Sequence, residues 1–184
     1  MAMPQPMAFI NEEDYVIGEE ESDTKHEYVN GQVYAMAGTS ANHNLISVNL
    51  VTLLRTELPD RCEVFMADMK VRIETKQDLM FYYPDVIVAC EEEDRAIYYR
   101  EKPCLIVEVL STSSKRQDFL EKFRAYQQIS TLQEYLLIAQ EKQEATLFRR
   151  SAHWQPEVYQ EGTFHLDSVN LEVSLDALYR LVRF

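Results

Sequence analysis

The chain has 184 residues, with 18 Lys and Arg against 31 Asp and Glu, and so carries a formal charge of −13 at neutral pH. That excess of carboxylates excludes a protein that grips nucleic acid by bulk positive charge, and no apolar run approaches the roughly 18 residues a membrane helix needs. Four glycines in no phosphate-binding spacing exclude a P-loop or dinucleotide fingerprint, while Cys62, Cys90 and Cys104, odd in number and widely spaced, argue against a disulfide framework or a Cys-based zinc site.

The opening, from Met1 to Ile10, has no Lys or Arg ahead of its few apolar residues, so a cytoplasmic protein without a secretory leader is expected. A flexible start over residues 1–10 and one domain over 11–184 is the expected organisation, since no repeat or long linker interrupts the chain. A short helix is predicted over Asn11 to Gly18. Asn30-Gly31 between two β-prone runs is the strongest short-range signal for a hairpin. Ser40 can cap a long helix from Ala41 to Leu58, with Leu45, Val48, Val51 and Leu54 as its apolar stripe and Pro59 as its stop.

The period then changes. Val64, Met66, Val71 and Ile73 alternate with polar neighbours, and Phe81 to Cys90 forms one long β-prone run, which together predict two or three strands. After the acidic stretch Glu91 to Asp94, the continuous apolarity of Cys104 to Leu110 predicts a central strand. A helix from Ser114 to Ile129 follows, with Ser114 and Gln117 in capping-box spacing and Phe119, Phe123 and Tyr126 on one face. Strands over Glu134 to Ala139 and Ala145 to Phe148, short strands near Val158 and Leu171, and a helix over Leu175 to Val182 complete an α/β (α+β) pattern around a mixed sheet.

Glu108 is the chemical anomaly, a carboxylate inside a run of Leu, Ile and Val, where a charge is costly unless paired or bound to a metal. Asp85 lies 23 residues earlier and opens the preceding apolar strand, so neighbouring strands can present both groups to one pocket. Hard carboxylate oxygens in such a pair suit Mg²⁺, which keeps several waters and assists phosphodiester cleavage. Internal salt bridges explain the same pair equally well. Lys122, four residues after Asp118, has an ordinary helix-surface ion pair as its default role, and a functional one if it folds back over the Glu108 strand towards a scissile phosphate. Lys70, Arg72, Lys115, Arg116 and Arg124 are candidates for a phosphate-binding rim or simply solvated charges. His43 is expected to have a helix-face or near-site role, and His153 and Trp154 to lie in a turn.

The Pro84-Asp85 pair followed by Glu108-Val109-Leu110 resembles the core of the PD-(D/E)XK nuclease superfamily. With Ser111, Asp118, Lys122, Tyr126 and Glu134-Tyr135, and with His26-Glu27-Tyr28-Val29-Asn30-Gly31 and the His43 helix ahead of it, the pattern resembles a restriction-endonuclease-like family once catalogued only as a domain of unknown function. The resemblance spans about Asn11 to Ala139. It implies a restriction-endonuclease-like core with a central mixed sheet flanked by helices and an N-terminal hairpin. It further implies Asp85 and Glu108 as metal ligands, the backbone carbonyl of Val109 as a third and Glu27 as an additional one, with Mg²⁺ as cofactor and Mn²⁺ as its substitute. The superfamily's usual lysine, two residues after Glu108, is Leu110 here, and Lys122 is the candidate for a migrated replacement.

Two functions therefore compete at this level. One is a metal-dependent DNA endonuclease with Asp85, Glu108 and Lys122 as its catalytic residues; the other is a nuclease fold that has lost turnover and serves as a nucleic-acid-binding or protein-interaction module. A homodimer fits either, because pairing two copies would place two sites on one duplex.

Overall fold

The computed structural model describes residues 9–110 and 116–184, with the side chains of 116–119 set aside. The expected loose start up to Ala8, the Ser114 cap, Ser111, Lys115 and the side chains of Arg116 and Asp118 fall outside the described residues.

The N-terminal third follows its local signals closely. Helix α1 (Glu12–Glu21) is capped by the Asn11 side chain, which accepts from the Asp14 N–H at 2.9 Å. Strands β1 (His26–Val29) and β2 (Gln32–Ala35) pair antiparallel around Asn30 and Gly31, whose φ angles of 48° and 87° are the left-handed pair that a two-residue hairpin of this twist requires. Helix α2 (Ala41–Glu57) starts where the Ser40 hydroxyl accepts the His43 N–H at 3.1 Å. Its buried stripe differs from the expected one. Ile46, Leu50 and Leu54, with His43 and Ser47, face inward, whereas Val48 is exposed; the 43/47 and 46/50/54 rows keep i, i+4 spacing that Leu45 and Val48 do not share.

The run from Phe81 to Cys90 is two strands instead of one. Strands β3 (Glu63–Met66) and β4 (Lys70–Glu74) are followed by β5 (Leu79–Tyr82) and β6 (Val86–Ala89), and the chain changes sheet at Tyr83-Pro84-Asp85. Pro84 has no N–H for a ladder and restricts the residue before it, so pairing breaks there despite the unbroken β propensity. The short β7 (Tyr99–Arg100) precedes β8 (Leu105–Leu110), helix α3 (Arg116–Tyr126), the hairpin of β9 (Glu134–Ala139) and β10 (Ala145–Arg149), and β11 (Pro156–Tyr159). His153 and Trp154 do form a turn, both with positive φ. Strand β12 (Thr163–Leu166), unforeseen in the sequence, pairs with β13 (Leu171–Ser174) ahead of the single-turn α4 (Leu175–Leu178).

Among the described residues the strands form a six-stranded sheet in the order β11-β10-β9-β8-β6-β3, a five-stranded sheet in the order β2-β1-β5-β4-β7, and the β12-β13 hairpin. The six-stranded sheet is mixed: β8 and β9 are parallel and the remaining pairs antiparallel. One face packs Val86, Val88, Leu105, Val107 and Val109 against Ile46, Leu50 and Leu54 of α2 and against the β13–α4 region. The other packs Ile87, Ile106 and Leu137 against Ala125 and Tyr126 of α3 and against Val71, Ile73 and Tyr82 of the five-stranded sheet. Strand alternation therefore turns Ile106 and Glu108 toward α3 and the second sheet, as the sequence pattern predicts. A third cluster of Tyr15, Tyr28 and Phe81 seats α1 on the outer face of the five-stranded sheet.

The cysteines correct the sequence reading. Cys62 and Cys90 form a disulfide and Cys104 is free. Glu63 faces Ala89 in the β3–β6 register, so the next position outward sets Cys62 against Cys90; the 28-residue spacing that looked too wide is closed by strand pairing.

Candidate active site

The site is built at one end of the β6–β8 pair. These strands run antiparallel with Val86 opposite Val107, so the residues just beyond, Asp85 and Glu108, fall opposite each other. Asp85 is pinned at backbone and side chain. Its carbonyl accepts the N–H of Ala67 at 3.1 Å, with Ala67 in the left-handed region at φ 52°, and its Oδ2 accepts the Val109 N–H at 2.7 Å. The same Oδ2 lies 3.1 Å from Nε2 of His43, which projects from the first turn of α2. Three elements thus fix one carboxylate, leaving Oδ1 with no hydrogen-bond partner among the described residues.

Glu108 is held from α3. The Tyr126 hydroxyl donates to its Oε1 at 2.9 Å. One turn earlier on α3, Lys122 places Nζ 2.6 Å from Oε1 of Glu27 and 5.5 Å from the centre of the Tyr82 ring. Glu27 comes from β1, where Tyr28 pairs with Phe81, so the position before it is set beside Tyr82. The hairpin, β5, β8 and α3 thereby meet around a cluster of three carboxylates and one ammonium.

Electrostatics makes this cluster uncomfortable without a cation. Burial is the main cause that pushes the Glu108 carboxyl up; Lys122 opposes it, Asp85 and Glu27 add to it and the Tyr126 hydrogen bond opposes it, and together they leave the carboxyl at about 8. At neutral pH such a carboxyl is largely protonated, and a divalent ion among these oxygens would favour its ionised form. The donor set is hard oxygen, which fits Mg²⁺ or Mn²⁺. Among the described residues no group of three or more His, Cys, Asp or Glu side chains stands arranged as a ready-made cage.

The structure brings Asp85, Glu108, Lys122 and Glu27 together, with the Val109 backbone alongside; it is the Val109 N–H that makes the observed contact. Two residues of the expected basic rim, Lys70 and Arg72, are engaged elsewhere. Lys70 is buried, with Nζ 3.2 Å from the Tyr83 hydroxyl and over the Tyr15 and Tyr83 rings. Arg72 is committed to Glu12, Glu74 and Glu101. Trp154 packs on Phe123 and under Arg150. Two contributors were undervalued in the sequence. His43 lies in the buried row of α2, a costly place for an imidazole without a partner, and Tyr126 follows Lys122 at i, i+4, which places both on one face of α3.

Related sequences and a related fold occur among known proteins. The chain is 38% identical, over 97% of its length and 96% of the relative's, to the uncharacterized protein slr1290 of Synechocystis sp.. It is 42% identical to the uncharacterized protein sll1609 of the same organism, over 69% of this chain and 73% of the other. Its fold matches that of a crystal structure from Anabaena variabilis, described as "a putative nuclease belonging to DUF820", with a TM-score of 0.69 and 17% identity, over 86% of this chain and 91% of that one. The architecture is accordingly restriction-endonuclease-like. The model of the family Uma2, "Putative restriction endonuclease", matches residues 12–177, and the chain belongs to that family.

Proposed function

We propose that the chain is a Mg²⁺-dependent endonuclease that hydrolyses phosphodiester bonds of DNA, with Mn²⁺ able to replace Mg²⁺. The observation that carries this reading is the placement of Asp85 and Glu108 opposite each other on adjacent strands, beside Glu27 and beneath Lys122, in a chain of this family. Asp85 and Glu108 would hold the cation, with the Val109 carbonyl and Glu27 as further oxygens. Bound there, Mg²⁺ would supply Lewis-acid polarisation of the phosphate and lower the pKa of the attacking water.

The chain's own groups divide the remaining work. Val109 N–H and His43 fix the orientation of Asp85, and Tyr126 fixes that of Glu108, so neither carboxylate must reorganise as charge develops. Lys122 supplies positive charge next to the carboxylates, where a non-bridging phosphate oxygen or the leaving oxygen would need it. Glu27 holds that ammonium in place over Tyr82.

Purified wild type, Asp85→Asn and Glu108→Gln are titrated with Mn²⁺ by calorimetry and then incubated with Mg²⁺ and supercoiled plasmid. The expected result is metal binding and nicking in the wild type, both reduced at least about a hundredfold in either variant. Thermal midpoints should stay near wild type, because each amide keeps the carboxyl's shape and sets no negative charge of its own beside the remaining carboxyl. Undiminished nicking by Asp85→Asn would overturn the mechanism. Tight metal binding without scission of any DNA form would support the module reading, in which Leu110 at the usual lysine position marks lost turnover.

A further inference from the structure

The end of the β6–β8 pair remote from Asp85 gathers all three cysteines of the chain. Cys90 follows the last residue of β6, Cys104 precedes the first of β8, and Cys62 leads into β3 on the other side of β6. The Cys62–Cys90 disulfide therefore fastens β3, the edge of the six-stranded sheet, to its neighbour. Cys104 is anchored by its N–H, which donates to the Val88 carbonyl at 2.8 Å, and its Sγ stands 3.8 Å from Sγ of Cys90. A free thiol thus lies at van der Waals distance from a disulfide sulfur, and that sulfur is the central one of the three.

We infer that the three cysteines form a thiol–disulfide exchange site in which Cys62 and Cys104 compete for Cys90. In the forward step Cys104 gives up its proton and its Sγ electron pair forms a bond to Sγ of Cys90. The Cys62–Cys90 bond breaks, and its electron pair leaves on Sγ of Cys62, which takes up a proton. One disulfide is made and one is lost, so no oxidant or reductant is consumed. The product joins β6 to the start of β8 and leaves the edge strand β3 without a covalent tie to its neighbour. Cys104 also donates to the Val88 carbonyl at 3.4 Å, and burial pushes its thiol up to about 11. The attacking thiolate is therefore scarce, which keeps exchange slow and shields the thiol from outside oxidants.

The test reads sulfur connectivity, so its outcome is independent of any nuclease activity. The full chain is equilibrated with oxidised glutathione, quenched in acid, alkylated with N-ethylmaleimide and digested without reduction. Trypsin cleavage after Lys70 and Arg95 separates the three cysteines, and mass spectrometry identifies the linked peptides. Wild type should yield both Cys62–Cys90 and Cys90–Cys104 peptides, with the label on Cys104 and on Cys62 respectively. Cys104→Ser should lose the second linkage entirely, and Cys62→Ser should convert fully to it. Only the Cys62–Cys90 peptide in wild type, or three fully alkylated thiols, would overturn the proposal. Should Cys62→Ser fail to fold by circular dichroism, the two wild-type linkages alone decide.

Discussion

The two ends of the β6–β8 pair, about 16 Å apart along the strands, solve the same problem in opposite ways. Each must hold facing residues of neighbouring strands together. At the cysteine end a covalent bond does so, in a setting of buried Cys62 and the apolar core around α2. At the carboxylate end the facing residues resist carrying charge together, and Asp85 stands opposite Glu108 with Val109 N–H, His43, Tyr126 and Lys122 around the pair. Between them Val86, Ile87, Val88, Leu105, Ile106 and Val107 are all almost wholly buried. The covalent tie and the apolar stretch lie away from the polar site, so that an arrangement unfavourable on its own is imposed by the strands that carry it.

The largest effect should come from the stretch the two ends share. Ile106→Ala removes a fully buried side chain that packs toward α3, and should cost about 4 kcal/mol in urea denaturation, because the two-sided packing leaves little room to collapse. Metal binding should weaken with it, since Glu108 rides on the same face of the same strand. A loss below about 1 kcal/mol would mean that the middle does not brace the ends. The next effect isolates the covalent end. Cys90→Ala deletes the sulfur common to both linkages, and closing a loop over a 28-residue separation is worth about 3–4 kcal/mol in chain entropy. Stability under non-reducing conditions should fall by that amount while Mn²⁺ affinity of the folded protein stays within about twofold of wild type. A parallel drop in affinity would show that the two ends are not independent.

Much of this layout is legible in the sequence, and what is not has identifiable causes. The Asn30-Gly31 hairpin, the Ser40 cap and the Glu108 anomaly are local signals, in which residue type alone dictates turn geometry, capping or desolvation cost. The pairing of Asp85 with Glu108 needs strand adjacency as well, and the 23-residue spacing suggests it without fixing register. Asp85 marks where an apolar strand opens, but strong β propensity on both sides of Pro84 conceals the change of sheet there. The disulfide depends on Cys62 and Cys90 extending a β3–β6 register that no local pattern encodes, and the cysteine spacing pointed away from it. Lys70 and Arg72 looked like members of a basic rim because charge alone says nothing of partners; Tyr83 and three glutamates claim them instead. His43, expected on a helix face or near the site, gains a defined partner only when α2 is laid over the β6–β8 end.

His43 gives the smallest and sharpest test of the difference between the ends. Its Nε2 meets the Asp85 oxygen that also accepts the Val109 N–H, so it orients a carboxylate proposed to hold the cation without being placed as a ligand itself. Loss of an orienting partner of this kind lowers metal affinity about 10–100-fold, equivalent to about 1.4–2.7 kcal/mol. His43→Ala should therefore weaken Mn²⁺ binding by that factor, whereas His43→Asn, able to donate from a similar position, should recover part of it. The Cys62–Cys90 linkage should be untouched in both. A merely structural histidine would lower the thermal midpoint of both variants and leave the affinity of the folded fraction unchanged. The affinity ratio of the two variants, more than the stability of either, thus decides whether α2 serves the carboxylate end or only covers it.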